Sequence, residues 1–491
     1  MRKLLLIFCF ILSQSRAQFE DGRLCFCKGE EAVEACSCSL PTNIDKLNND
    51  RIYEKVQKLL KKDFFRFYKV NMDKTCPFWS DERQCGTSQC GIAFCDDEVP
   101  VGLRRPSAVN VVRISHRKNH TDRWNTTRIP TVGIVQDEAK KCGEKTASNQ
   151  FDPMDRTLNE NEKKQLDAMD YHDEGLEDKF CEIEDEESIN MHYVDLSKNP
   201  ERYTGYSGKS PQRVWKSIYE ENCFKPDPKF DKNFLLHPNN FGMCLEKRVF
   251  YRLISGLHSA ITISIAAYNY KPPPPTLGKF GSQIGQGTWF RNTEMFAGRF
   301  GTKWSWEGPQ RLRNVYFVYL LELRALLKAA PYLQNELFYT GNEKEDSETR
   351  AAIEELLEEV RQFQDHFDES EMFTGVEAQA RALREEFRSH FVNISRIMDC
   401  VECDKCRLWG KVQVHGMGTA LKILFSDLPH SHYKHDLSKF QLTRNEVVAL
   451  LQSFGRYSSS IMEVQNFRAD MYPEAAAQGP QTPTTTPKIE L

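Results

Sequence analysis

The chain has 491 residues, of which 40% are hydrophobic and 28% charged, the balance of an ordinary globular protein with room for a large core. A formal net charge of −4 gives no electrostatic reason to bind nucleic acid or an anionic surface.

The opening "MRKLLLIFCFILSQSRAQ" has basic Arg2 and Lys3, an apolar run from Leu4 to Leu12, and small Ser15 and Ala17 at the −3 and −1 positions of a cut. That is the pattern of a secretory leader over residues 1–17, too short to span a bilayer. No later apolar run is expected to reach spanning length. The sequons at Asn119, Asn125 and Asn393 fit a glycosylated lumenal or secreted chain. There are 16 cysteines, one of them Cys9 in the leader. In an oxidising compartment most of the rest pair, and the odd number left makes exchange chemistry worth considering.

Within residues 18–40, "CFCKGEEAVEACSC" reads as a small hairpin held by two disulfides, with four-thiolate zinc as the rival. Residues 45–69 read as a helix with Ile52, Val56, Leu59, Leu60 and Phe64 on one face. "CPFWSDERQCGTSQCGIAFCDDEVP", with Cys76, Cys85, Cys90 and Cys95, reads as a flexible loop. Residues 100–190 are polar and increasingly acidic, as in a solvated surface segment. Amphipathic helices follow at 246–267, 311–329, 351–363 and 378–398, with a proline-rich surface loop at 271–287. The end, from about 471, has the composition of a disordered tail. The fold class is mainly α, one large helical unit with a disulfide-rich front.

The chemistry concentrates in "DCVECDKCRLWGK", residues 399–411. A C-x-x-C closes a small ring, and if Cys403 begins a helix, the helix dipole favours its thiolate. Lys405 and Arg407 add positive charge. Such a pair can cycle between dithiol and disulfide. Two other readings stay open: a static staple, and zinc held by Cys400, Cys403, Cys406 and His415. Cys85 and Cys90, in "CGTSQC", form a second close pair on a Gly- and Ser-rich loop. A fixed pair facing a mobile pair suits an electron relay, because exchange needs one thiolate to approach a sulfur in line. A relay needs a two-electron sink, usually flavin. No G-x-G-x-x-G follows a strand, so a flavin would lie between helices.

These residues, with "CPFW", "NPERYTGYSG", "YEENCF", "EKRVFYRLISGLHSAI", "YLLELRAL", "HFVNISRIMDCVECDKCRLWGK" and "GTALKILF", closely resemble the endoplasmic reticulum oxidoreductins. These are flavin-dependent thiol oxidases that reoxidise protein disulfide isomerase. The resemblance runs from about Cys25 to Arg468. It implies a single oxidase domain over 18–470, with a shuttle and regulatory region at 76–145 and an FAD-binding helical core at 200–425. It implies that Cys403 and Cys406 meet the flavin and that Cys85 and Cys90 exchange with the isomerase. Electrons then pass to dioxygen and give hydrogen peroxide.

The FAD contacts carried over are Arg202, Thr204, Trp215, Ser255, His258, Arg299 and Arg311. Their types suit such a cofactor, with arginines for a diphosphate, flat rings for stacking on adenine and hydroxyls for hydrogen bonds. The resemblance also implies structural disulfides Cys25–Cys38, Cys27–Cys36, Cys76–Cys400 and Cys223–Cys244. An oxidised off-state would lock Cys85 to Cys142 and Cys90 to Cys95, leaving Cys181 over. The protein is expected to be a monomer of the endoplasmic reticulum lumen, peripheral on the lumenal membrane face.

The last four residues, Lys-Ile-Glu-Leu, differ at one position from the retention signal K-D-E-L. A flexible Thr/Pro tail would present them well. Deleting them is expected to increase secretion into culture medium. Unchanged retention would count against the signal.

Overall fold

The computed structural model describes residues 43–80, 90–104, 180–181, 188–201, 209–224, 245–271, 287–301, 308–336, 338–361, 369, 372–426 and 442–473. The leader, the front cysteine hairpin, Cys85, Cys142, Cys244, Asn119, Asn125, Arg202, Thr204, the loop 272–286 and the tail lie outside the described residues.

The described chain is mostly helical. Its long helices are α1 (Tyr53–Leu60), α2 (Lys209–Glu221), α3 (Leu245–Ala267), α4 (Thr293–Phe300), α5 (Gly308–Asn335), α6 (Glu343–Arg361), α7 (Glu377–Ile397), α8 (Asp404–Leu424) and α9 (Arg444–Met471). Four short strands form two antiparallel pairs, β1 (Phe67–Val70) with β2 (His192–Asp195) and β3 (Asn269–Lys271) with β4 (Thr288–Phe290). The chain groups into two compact units.

The larger unit runs over Glu54–Ile254 and Leu320–Arg456. Its central element is α8, where Leu408, Val412, Val414, Met417, Ala420, Leu421 and Ile423 are all fully buried, as are Arg407 and Gln413. Gly416 lets α9 approach: a Cβ there would lie 2.4 Å from both Ala449 O and Ser453 Cβ. At the other end, Lys328 donates to the α8 carbonyl of Leu424 at 2.6 Å and pairs with Glu369 at 3.4 Å, so a cation covers the negative end of the helix dipole. A ring cluster packs edge to face, with Phe250–Phe387 centroids 4.9 Å apart and Phe224–Phe250 5.1 Å apart.

Three sequence expectations change here. The helix expected over 45–69 ends early. After a π turn at Asn48–Ile52 and a short helix at Asp63–Arg66, the chain extends as β1, pairing Phe67 with Asp195 and Val70 with His192. The aromatic and β-branched run Phe-Tyr-Lys-Val suits a pleated strand better than a helix once a partner is present. Second, the acidic stretch expected to be solvated buries Phe180 and Cys181, at 1% and 6% exposure. Phe180 meets Phe425 at 5.6 Å, and the Cys181 sulfur lies 2.9 Å from where a Cβ on Gly418 would stand. Third, α3 is apolar and long enough to cross a membrane, but 83% of its apolar window is buried in the protein. It is a core helix.

The smaller unit comprises the residues up to Tyr53, Ser255–Tyr319 and those from Tyr457 onward. Asn48 donates to Ser458 O at 2.9 Å and accepts from Ser458 Oγ at 2.6 Å, and Tyr316 donates to Asp45 at 2.6 Å. Asn292 caps α4 by accepting from Met295 N at 2.9 Å. Phe296 then stacks on Phe467 with centroids 4.2 Å apart.

The α8–α9 approach is testable. Gly416→Ala is expected to destabilise the protein by about 1–3 kcal/mol, the usual cost of overpacking a tight interface. The midpoint of chemical denaturation reads this, and an unchanged midpoint would contradict the close packing.

Candidate active site

Cys403 is the N-cap residue of α8, with extended backbone at φ −77° and ψ 117°. It has no side-chain capping bond, and its carbonyl accepts from Arg407 N at 2.7 Å. Cys406 follows in the first turn. Both sulfurs are buried, and Cys90 packs against them in one cluster with Val401 beside it. The amide of Lys405, which no helix carbonyl can satisfy, donates to Cys90 O at 2.9 Å. Cys90 is disulfide-bonded, and its expected partner Cys85 lies outside the described residues. The structure therefore brings together one cysteine of the expected outer pair and both of the expected inner pair, at the positive end of a 21-residue helix.

Cys400 is different. It ends a 3-10 turn and is joined to Cys76, 324 positions away in sequence, with Cα atoms 4.4 Å apart. Closing so long a loop stabilises the fold by roughly 5 kcal/mol in the chain-entropy account. The zinc reading fails on this bond, because Cys400 is not a thiolate. His415, the fourth candidate ligand, is engaged through Nδ1 with Tyr68 OH at 2.8 Å. Among the described residues, no group of three or more His, Cys, Asp or Glu could hold a metal.

The positive charges are placed otherwise than sequence alone implies. Arg407 is fully buried, its Nε donating to Val401 O at 2.9 Å and its Nη1 to Met72 O at 3.1 Å. Sequence reasoning missed Trp409, whose indole donates to Asn199 O at 2.6 Å, and Gln413, which donates to the buried Glu201 at 3.0 Å. Both grip the stretch immediately before Arg202. Their i, i+4 spacing on α8 was the available signal.

Cys95 lies five residues after Cys90 and carries a thiol. It is docked on β2, its Sγ donating to Tyr193 O at 3.3 Å, while Asp96 accepts from Tyr193 N at 2.9 Å. Burial first, then the charges of Asp195, Glu98 and Asp96, push this thiol up to about 11. Docked, it is a poor nucleophile. Cys223 is buried, and Asn393 is half-buried on α7.

The expected FAD contacts divide. In the smaller unit, Ser255 and His258 lie one turn apart on α3, and α4 and α5 supply Arg299 and Arg311. Arg299 Nη2 lies 3.2 Å from His258 Nδ1, and Arg311 Nη1 donates to Arg299 O at 3.1 Å. A guanidinium only donates, so Nδ1 accepts and the ring is neutral with its proton on Nε2. Burial and then the charges of Arg299 and Arg311 hold His258 well below its ordinary value. Two guanidiniums, a neutral imidazole and a hydroxyl make a donor set suited to a diphosphate. Trp215 belongs to the larger unit, where it meets Tyr219 at 6.0 Å.

The family model described as Endoplasmic Reticulum Oxidoreductin 1 (ERO1) matches residues 51–464. The chain belongs to this oxidoreductin family. Endoplasmic reticulum oxidoreductin-1 of Caenorhabditis elegans is 77% identical, over 99% of this chain and 98% of that one. ERO1-like protein alpha of Homo sapiens is 41% identical, over 90% and 91%. A solved structure of Ero1p, titled as a source of disulfide bonds for oxidative protein folding in the cell, aligns with a TM-score of 0.52 at 27% identity, covering 89% of this chain and 99% of that one. Membership makes this oxidoreductin an oxidoreductase acting on thiols, in the endoplasmic reticulum.

The neutral His258 of this oxidoreductin has a pH signature. The unfolded chain binds its proton near pH 6.5 and the folded chain does not until well below that. Stability is therefore lost as pH falls below about 6.5, by at most about 1.4 kcal/mol per pH unit. His258→Gln keeps an acceptor for Arg299 and should flatten this slope in urea titrations at pH 7.5 and 5.5. Equal slopes would contradict a buried neutral imidazole.

Proposed function

We propose that the protein is an FAD-dependent thiol oxidase of the endoplasmic reticulum lumen that makes disulfides for protein disulfide isomerase. The observation that carries this reading is the seating of disulfide-bonded Cys90 on Cys403 and Cys406, with the Lys405 amide on its carbonyl.

A reduced isomerase gives two electrons to the Cys85–Cys90 disulfide by thiolate attack and leaves oxidised. The Cys85–Cys90 dithiol then attacks the Cys403–Cys406 disulfide, so the outer disulfide re-forms as the inner one opens. The α8 terminus favours the thiolate at Cys403 in that step. Arg202, Thr204, Trp215, Ser255, His258, Arg299 and Arg311 would hold the cofactor. The chemistry a bound FAD supplies is acceptance of the electron pair from the inner dithiol and its delivery to dioxygen, giving one hydrogen peroxide per disulfide. His258 can stay neutral beside two arginines, so the positive charge needed for a diphosphate rests on the guanidiniums. Locking Cys90 to Cys95 and Cys85 to Cys142 opens the Cys85–Cys90 disulfide and is a net two-electron oxidation, for which oxidised isomerase would be the acceptor; it would withdraw the outer pair and switch the enzyme off. Cys95 must first leave β2, because its docked thiol is protonated.

The purified protein should be yellow and should consume oxygen when given reduced isomerase. Cys403→Ala should abolish consumption with every substrate. Cys85→Ala should abolish it with the isomerase but retain turnover with a small dithiol that reaches the inner pair directly. Equal losses for both variants with both substrates would remove the separate inner and outer roles.

A further inference from the structure

Two cations of α8 bridge the same two stretches of chain that the Cys76–Cys400 disulfide ties together. Arg407 reaches Val401 O at 2.9 Å and Met72 O at 3.1 Å. Lys411, one turn on, reaches Asp399 Oδ1 at 2.6 Å and Asn71 O at 3.1 Å. Each side chain thus joins residues 71–72, just ahead of Cys76, to residues 399–401 around Cys400. Arg407 is fully buried, and the Lys411 side chain is 10% exposed.

The location poses a chemical problem. When the Cys403–Cys406 pair is reduced, a thiol lies three residues from a disulfide sulfur, and Cys400, Cys403 and Cys406 are all buried. Attack of the Cys403 thiolate on the Cys400 sulfur would form Cys400–Cys403 and break Cys76–Cys400. Cys76 would leave as a thiolate and take up the proton Cys403 had released. The exchange needs no oxidant or reductant, and its product has lost half of the redox pair. Apart from the preference of the α8 terminus for a thiolate at Cys403, the sulfur chemistry favours neither isomer strongly. The balance is set by how closely each thiol is held to Cys400.

We propose that Arg407 and Lys411 are positioning residues that keep Cys400 out of exchange with the redox pair. By holding 71–72 against 399–401 without covalent bonds, they keep an expelled Cys76 thiolate at Cys400. Its effective concentration stays high and the native bond re-forms. The arrangement uses two different geometries, a planar fork and a point charge, each bonded to oxygens from both stretches. Burying these charges is tolerable only because those oxygens are there. The inference rests on the reading of Cys403 and Cys406 as a redox pair.

Disulfide mapping by mass spectrometry tests it on the full chain, equilibrated in glutathione buffers of graded oxidation and quenched with an alkylating agent. This readout needs neither flavin turnover nor an isomerase. Wild type is expected to cycle Cys403–Cys406 and to keep Cys76–Cys400 throughout. Lys411→Met and Arg407→Lys are each expected to raise Cys400–Cys403, with Cys76 alkylated, about tenfold or more. Lys411→Arg, which can still bridge, should return it to the wild-type level. Arg407→Lys buries the same charge, so it serves if Lys411→Met does not fold. Gly416→Ala is the control for general loosening of α8, since it leaves the bridge intact. If Gly416→Ala raises the isomer as much as Lys411→Met, or if both bridge variants stay at the wild-type level, the inference is overturned while the redox reading stands. A wild type whose Cys403 and Cys406 never cycle overturns both.

Discussion

A buried charge or amide must find a partner, and in α8 that requirement fixes most of what surrounds Cys403 and Cys406. Arg407, Trp409, Lys411, Gln413, His415 and Lys422 all project from one largely buried helix. They are met by Val401 and Met72, Asn199, Asp399 and Asn71, Glu201, Tyr68, and Glu446 respectively. Removing one partner of a buried ion pair costs about 3–5 kcal/mol, a large share of the roughly 5–15 kcal/mol by which a domain is stable. Each polar side chain therefore acts as an address, answered by one stretch of chain for Trp409 and Gln413 and by two for Arg407 and Lys411. Apolar packing alone would hold α8 in the core but would tolerate it turned or slid. The polar addresses set its rotation and register, and so the place where Cys403 and Cys406 emerge.

The same requirement accounts for the seat of Cys90 on α8. The first amides of α8 have no helical acceptor, and Cys403 supplies no side-chain cap. The Cys90 carbonyl takes the Lys405 amide instead. Water could replace that carbonyl at a net difference of about 1 kcal/mol, so the bond alone holds Cys90 only weakly. Cys95 is held differently. Its amide and thiol, together with Asp96, are all bonded to β2, and its raised pKa keeps it protonated there. Two cysteines five residues apart are thus held on different elements, Cys90 at the start of α8 and Cys95 on β2.

The sequence carried a helix start at Cys403 and the amphipathic helices, because each depends on residues close together in the chain. It did not carry α8 or α9 as plainly. A helix buried on all sides has no polar face to produce a stripe, and α8 also hides Arg407 and Gln413 where a pattern reader looks for apolar residues. The pairing of Phe67 with Asp195 was equally silent, since four residues of strand are too few to declare themselves against a preceding helix and the partner lies far along the chain. Phe180 and Cys181 were read with their acidic neighbours, although two apolar side chains are enough to anchor a polar segment. The cluster of His258, Arg299 and Arg311 spans three helices. Only the family resemblance drew its members together, and the neutral state of the imidazole follows from geometry that no spacing encodes.

The three evenly spaced cysteines show how spacing misleads when the backbone changes. Cys400, Cys403 and Cys406 would share one face of a continuous helix, as a set of metal ligands would. The helix is not continuous. Met398–Cys400 is a 3-10 turn, Val401 and Cys403 are extended, and α8 begins only at Asp404. The break separates Cys400 from the other two by chain direction as well as by its bond to Cys76. Cys403 and Cys406 remain together because one caps the helix and the other falls in its first turn. Cys400 thus serves as a tether three residues from Cys403, and more than the disulfide holds the tether's two ends together. The oxygens of residues 71–72 and 399–401, gathered by two cations of the same helix, are placed to do that.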